Sequence, residues 1–417
     1  QLGLREGWQS VNRDPTNYSA HRLLADSYST SPSTEAARVS ELLQSQLLQP
    51  INITPIQPQL AETQLLIPGT SLITPSLYEF NPLFVRNQPS LFFSGLGGNQ
   101  NTWGDNLIVS GLTDRFSYSI GQFHYQGDGF RENNDLENNI YDIFVQAVVT
   151  PDFNVQAEYR HRETSRGFSR LEFSDNPVPF VRYDNTQETS RIGARYSLSP
   201  QTTFLASFIY VDREDITHYL GFDNLPRIGI ANNQGLQTEA QLLYKADSFN
   251  LVAGFGDYTI DYDFYAPGIP SSTGRTEQKT GYAYLNLKLP ENLIWTVGLS
   301  EQSNSGFNYD LNEAYPKFGV QWLINPHLSV RAAAFKTAKR AIAADQTIEP
   351  TQVAGFNQIF NDPDGAVFKR YGIGLDMRFT EKLFGGVELS RRDLEIPIGG
   401  APGPFELEQD QENFYRA

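Results

Sequence analysis

Cysteine is absent from the 417 residues, which removes disulfides and thiolate metal sites together. Histidine is scarce, with five scattered copies and no metal-ligand spacing among them, so neither a metal nor another cofactor is expected. No run approaches the roughly 18 uncharged apolar residues of a spanning helix. Hydrophobic residues make up only 39% of the chain, and the mean hydropathy is negative. A helical membrane protein is thereby excluded, but a membrane β-barrel is not, since a spanning strand needs only about 9–11 alternately apolar residues. Positive charge is in deficit, and the net charge of −16 opposes nucleic acid, whose phosphates would be repelled. Catalytic signatures are missing as well: there is no G-x-S-x-G, no H-E-x-x-H and no phosphate-cradling glycine loop, so no enzyme is expected. No signal peptide is visible and the first residue is Gln1; an exported chain is then expected to be processed or part of a longer one.

What the chain has in quantity is 21 Tyr, 28 Phe and 33 Gly, the materials of a large β-structure with aromatic belts. A soluble sandwich or propeller would use the same composition. From about Leu91 onward apolar residues recur with period two. Phe153, Val155, Ala157 and Tyr159 share one face and Asn154, Gln156, Glu158, Arg160 and Arg162 the other. Likewise Ile192, Ala194, Tyr196 and Leu198 oppose Arg191, Gly193 and Arg195, and Tyr371, Ile373, Leu375, Met377 and Phe379 oppose Arg370, Gly372, Gly374, Asp376 and Arg378. One face therefore meets an apolar medium and the other a polar one.

The connections separate a membrane barrel from other half-buried sheets. Seven short turns recur, at Thr113-Asp114-Arg115, Thr150-Pro151-Asp152, Ser199-Pro200-Gln201, Ala246-Asp247-Ser248, Pro290-Glu291-Asn292, Asn325-Pro326-His327 and Thr380-Glu381-Lys382. Between them lie polar, Gly- and Asn-rich segments around 127–138, 167–185, 217–234, 265–276 and 341–365, expected to be long loops. Short turns at one end and long loops at the other are the signature of an outer-membrane barrel, with the turns in the periplasm. Seven turns give 14 strands; a first strand near Leu91–Gly97 and a last beginning near Gln411 raise the count to 16. The fold class is therefore an all-β, transmembrane, antiparallel up-and-down barrel of at least 16 strands. The last strand stops at Tyr415-Arg416-Ala417 without a terminal aromatic, so further strands are expected.

The first 50 residues differ. Trp8, Leu23, Leu24, Ala25 and Tyr28 recur near helical spacing, Asp14-Pro15 predicts a helix stop, and Glu35 to Leu48 predict a further helix. Pro15, Ala20, Leu24, Ala25 and Tyr28 stand in the order of a tetratricopeptide repeat, and Pro15 and Pro50 lie 35 residues apart, close to that repeat's period of about 34. Residues 1–50 thus resemble the end of a tetratricopeptide array and are expected to form a periplasmic segment that docks a protein partner. Residues 51–89 read as a linker rich in Pro, Gln, Thr and Ser. Its apolar Leu65, Leu66, Ile67, Leu72 and Ile73 predict packing against something, and 90–417 is the barrel.

A helical-repeat segment running into a barrel is similar in architecture to the exopolysaccharide export porins, which implies passage or export of a polar solute or polymer. A second likeness lies in Tyr315-Pro316-Lys317-Phe318-Gly319-Val320 followed by Leu328-Ser329-Val330-Arg331-Ala332. It resembles the strand pair that TonB-dependent receptors carry before a long external loop, and implies an uptake barrel. Such receptors carry a plug domain before the first strand, where this chain reads as repeat helix and linker.

The inward-facing charged residues are Glu158, Arg160, Arg162, Arg191, Arg195, Glu239, Lys245, Arg370, Asp376 and Arg378. They either guide a polar solute along the lumen or brace the wall by cross-strand ion pairs. The inward Gly193, Gly319, Gly372 and Gly374 suggest space inside, which a folded-in loop could fill. Arg160-His161-Arg162 and Arg391-Arg392 fall where the loops begin and could meet lipopolysaccharide phosphates. Asp261, Asp263, Asp362 and Asp364 could offer oxygen ligands to calcium, but Asn361-Asp362-Pro363-Asp364-Gly365 reads rather as a turn and lacks the ligand spacing of an EF-hand. Trp295 and Trp322 are candidate membrane-interface anchors. The functions this allows are a porin or transporter with docking repeats, a receptor-like uptake barrel, or a plugged barrel that binds an extracellular partner through its loops.

Overall fold

The computed structural model describes residues 2–29, 33–53, 56–63, 87–168, 180–221, 223–306, 311–398 and 406–416. Leu65, Leu66, Ile67, Leu72 and Ile73 of the linker lie outside the described residues.

Period-two alternation produces one antiparallel sheet of 16 strands in chain order. Its first eight are β1 (Gln88–Gly97), β2 (Trp103–Thr113), β3 (Phe116–Gly127), β4 (Leu136–Thr150), β5 (Phe153–Arg166), β6 (Arg182–Ser199), β7 (Thr202–Leu220) and β8 (Pro226–Lys245). There follow β9 (Phe249–Ala266), β10 (Ile269–Leu287), β11 (Leu293–Gly306), β12 (Leu311–Asn325) and β13 (Leu328–Ala338). A long connection holds the small hairpin β14 (Gln352–Val353) and β15 (Phe356–Asn357), and the wall resumes with β16 (Val367–Arg378), β17 (Phe384–Ile398) and β18 (Glu406–Arg416). All seven expected turns fall between consecutive strands of the wall. Among the described residues β1 pairs with β2 and β18 with β17, and no ladder joins β1 to β18.

Two of the expected loops are strand instead. β7 and β8 continue to a tip at 221–225, and β9 and β10 meet across Pro267 and Gly268, the glycine at φ 83°. Strands β6 to β10 are 18 to 20 residues long, about twice what a bilayer crossing needs. Asparagine and charge in these stretches suggest loops, yet a strand that has left the membrane can be polar on both faces. Asp261 and Asp263 accordingly lie in β9 rather than in a loop.

The outward face carries the apolar band. Ile192 (61% exposed), Phe255, Val297, Leu299, Ile373 and Leu389 point away from the interior, where lipid replaces water. Trp322 points outward, and Trp295 donates its indole N–H to Leu289 O at 3.2 Å, both near the short-turn end.

Helices form where sequence periodicity places them: α1 (Leu2–Arg13), α2 (Tyr18–Tyr28) and α3 (Glu35–Leu48). Asn17 caps α2 by accepting from Ala20 N–H at 3.1 Å. A 3-10 turn follows at Pro58–Ala61. These elements do not stand apart from the barrel. Leu24, Tyr28, Leu43 and Leu47 share a buried apolar cluster with Leu205, Ile209, Leu243 and Tyr284 of the wall.

Candidate functional site in the lumen

Polar contacts trace the helical segment around the inner wall. Gln57 accepts from Asn106 of β2 at 3.1 Å, and Gln146 of β4 donates to Gln49 O at 3.1 Å. Gln46 O accepts from Gln156 of β5 at 2.6 Å, while Gln44 donates to Gln241 of β8 at 2.7 Å. Near the short turns, Lys245 pairs with Asp14 at 2.5 Å and Asn250 donates to Asn12 O. The sheet therefore wraps around the described residues between Trp8 and Thr63, and the helices enter from the turn end. A free-standing repeat is not observed; its apolar face is buried by the wall, which does the work that neighbouring repeats do in an array.

The connection 339–366 fills the lumen from the opposite, outer end. It is long, as expected, but folds inward: Ile348, Val353, Ala354 and Phe356 are essentially inaccessible. Ile348 N–H donates to Glu239 at 3.3 Å, Arg340 pairs with Glu349 at 2.7 Å, and Arg370 donates to Asn357 O at 2.6 Å.

The inward glycines do not mark free space. A Cβ on Gly193 would lie 2.5 Å from Leu47 of α3, and one on Gly319 would lie 2.5 Å from Ala354 of the inserted connection. Gly121 stands against Pro58, Gly235 against Ala343 and Gly372 against Phe356 in the same way. Of the four glycines expected to face inward, Gly374 meets only a wall side chain, Arg331. Glycine lets the plug backbone and side chains approach the sheet where any Cβ would collide.

The charged residues read as inward divide between contacts to the wall and contacts to the plug. Glu158 and Arg191 pair across β5 and β6 at 2.6 Å, a wall brace, and Gln46 donates to the same carboxylate at 2.9 Å. Arg160 and Arg162 reach Glu62 of the plug at 3.0 and 2.9 Å. Arg195 donates to Leu48 O, Glu239 accepts from the Thr347 hydroxyl at 2.5 Å, and Arg370 lies 3.4 Å from Glu388. Asp376 is 3.2 Å from Arg331, and Arg378 lies exposed at the rim over the Phe384 ring. Sequence reasoning missed Glu62, Glu349 and Glu388, and it did not place Arg331 or Arg392 in the interior. Glu62 and Glu349 lie in segments that read as linker and loop, where period two gives no facing signal.

Arg160 and Arg162 are 5% and 6% exposed and held by Glu62, so neither is available to lipopolysaccharide. Arg392 is likewise buried against Asp362, whereas Arg391 is exposed and pairs with Asp393 at 2.7 Å. Asp261 receives Arg275 at 2.6 Å. Two of the candidate calcium carboxylates, Asp261 and Asp362, are thus engaged by guanidinium groups.

The carboxyl of Asp26 in α2 is perturbed. Desolvation outweighs the nearby Arg22 and Arg38 charges and pushes Asp26 up to about 6, and it also lowers Arg38. Among the described residues, Asp26 Oδ2 has no hydrogen-bond partner. Between helices and wall lies a cavity of about 50 Å³ lined in part by Asn12, His21, Glu41, Gln44, Asn250 and Asn286, room for a few waters.

No family model and no curated sequence matches the chain. Solved structures do match in fold. The copper transporter OprC superposes with a TM-score of 0.57 at 12% identity, covering 74% of this chain and 53% of that one. The alcaligin outer-membrane receptor FauA from Bordetella pertussis gives 0.55 at 16% identity, covering 78% and 57%. The ferric citrate transporter FecA gives 0.52 at 13%, covering 73% and 50%. The chain spans about half the length of these structures. Its fold is that of outer-membrane receptor and transporter barrels.

Proposed function

We propose that this chain is the wall and plug of an outer-membrane uptake receptor of the TonB-dependent type, in which a polar solute crosses once the plug rearranges. The observation that carries this reading is the filled lumen: helices enter from the periplasmic end and an inserted connection from the outer end, and the two meet inside the wall through Asn361 and Thr351. Passive conduction or polymer export would need an open path. Resemblance of the Tyr315–Val320 and Leu328–Ala332 strands to those receptors, and the receptor and transporter folds of the structural neighbours, support the same side.

The ionic inner wall fits a plug that is held yet releasable. Arg160, Arg162, Arg195 and Lys245 bind plug groups that unfolding into water could solvate. In this reading lipid contacts the apolar band, a periplasmic protein meets the helices at the turn end, and the long outer strands contact the solute.

The test is conductance in planar bilayers. The whole chain is expected to be silent, and a chain lacking residues 2–63 is expected to give steady current steps. Open channels from the intact chain would restore the porin reading. A second reading, a docking barrel whose lumen never opens, is favoured by the number of buried ion pairs on the plug. It predicts silence from the shortened chain too.

A further inference from the structure

The connection between β13 and β16 touches wall and plug at once. Its ends sit at the outer rim, at Ala338 and Val367, and its middle reaches the helices. On the wall side, Glu349 accepts from the Tyr284 hydroxyl, and within the connection it pairs with Arg340. Phe356 lies under the Arg331 guanidinium at 4.6 Å, and Phe360 under that of Arg392 at 3.8 Å.

On the plug side the contacts converge on α3. Thr351 donates its hydroxyl to Glu41 and accepts from the Tyr28 hydroxyl at 3.2 Å. Glu41 also faces His21 Nδ1 at 2.6 Å, and His21 Nε2 faces Pro15 O at 3.1 Å. Thr347 N–H donates to Ser40 Oγ at 3.1 Å. Most telling is the start of α3. Its own N-cap residue, Thr34, turns its hydroxyl back to Tyr28 O at 3.0 Å and makes no side-chain cap bond. Ala36 N–H instead donates to Asn361 Oδ1 at 3.0 Å, and Asn361 N–H donates to Ser33 O at 3.0 Å. Helix α3 is capped from a residue 325 positions away in sequence.

We propose that the connection 339–366 is a strap that fastens the plug, and that lifting it from outside uncaps α3 and frees the helices to rearrange. The proposal deepens the receptor reading and rests on it. A helix end loses stability when its cap is removed because its first N–H groups have no intrahelical acceptor. Here the acceptor belongs to an element whose two ends are anchored at the outer rim. An occupant of the outer mouth that displaces the strap therefore acts on the periplasmic side without touching it, through the contacts at Asn361 and Thr351.

The test is amide hydrogen exchange on the whole chain in detergent micelles, with wall folding checked by heat-modifiable gel mobility. In the double variant Asn361→Ala/Thr351→Val, α3 amides are expected to exchange about tenfold faster, the scale of one lost cap and a buried hydrogen bond. Wall strands should be unchanged. As a second arm, Ser40→Cys/Thr347→Cys introduces two cysteines into a chain that has none; its oxidised form should slow α3 exchange relative to its reduced form. Unaltered α3 exchange in both arms, with the wall folded, overturns the strap. That outcome is separate from failure of the receptor reading, which is decided by conductance of the chain lacking residues 2–63.

Discussion

Gly193 of β6 faces Leu47 of α3 so closely that a methyl group on the glycine would lie 2.5 Å from the leucine Cδ2. The contact explains why a wall strand carries glycine at an inward position between Arg191 and Arg195. It also fixes where α3 can sit against the sheet.

Gly193→Val should therefore push α3 off the wall. Overpacking of this kind costs about 1–3 kcal/mol. Denaturant unfolding and α3 amide exchange would register the loss. Gly281→Ala is the control, because nothing lies within 4 Å of a Cβ there, and it should change stability by less than about 0.5 kcal/mol.

Glu62 joins Arg160 and Arg162 to the plug. Arg160 keeps Glu158 when Glu62 is removed, whereas Arg162 is left with the neutral oxygens of Thr63, Asn185 and Gln187. Glu62→Ala should cost about 3–5 kcal/mol, the effect of stranding a buried charge. Adding Arg162→Met should recover much of it. A double-mutant cycle in urea measures both, and additive losses would mean the two side chains are not coupled.

Asp26 makes the plug sensitive to pH. Its folded-state carboxyl titrates near 6, above its ordinary 3.8, because burial opposes the charge. A raised carboxyl binds its proton more tightly when folded, so this residue favours the folded state at low pH. The contribution falls as pH rises from about 4 to 6. Asp26→Asn should then stabilise α2 and α3 at pH 7.5 by up to about 3 kcal/mol, the free energy that corresponds to raising a carboxyl this far, with no gain below pH 4. Exchange rates of α2 amides at the two pH values check the sign.

Ile192 points into the lipid band from the spanning part of β6. Ile192→Arg should cost about 2–4 kcal/mol in folding into liposomes, as for a cation at the bilayer midplane. The decisive comparison is Thr189→Arg on the inward face, which should insert normally and disturb the plug instead.

The wall is legible in the sequence because a strand reports its two environments by strict alternation. Six of the seven turns interrupt that alternation with Pro, Asp or Asn. The outer ends of β7 to β10, within 217–234 and 265–276, read as loops, because above the membrane neither face is apolar and the alternation disappears. The three helices are visible from the spacing of Trp8, Leu24, Tyr28 and Leu43, but their destination is not. An amphipathic helix shows that one face is covered without showing by what.

Inward glycines illustrate the same limit. Alone, Gly193, Gly319 and Gly372 look like space; beside Leu47, Ala354 and Phe356 they are contact points. Glu62 and Asn361 are invisible as functional residues, since their partners Arg162 and Ala36 are remote in sequence and neither segment has a period.

The sequence by itself determined that there is a membrane-facing sheet of 16 strands, which of its residues face inward and where its turns lie, because those depend on local alternation and on turn chemistry. Only the tertiary structure decided that the lumen is occupied, by the chain's own helices and by residues 339–366. Occupancy depends on contacts between segments up to 325 residues apart, and no local rule of helix or strand encodes which distant surface a buried face will meet.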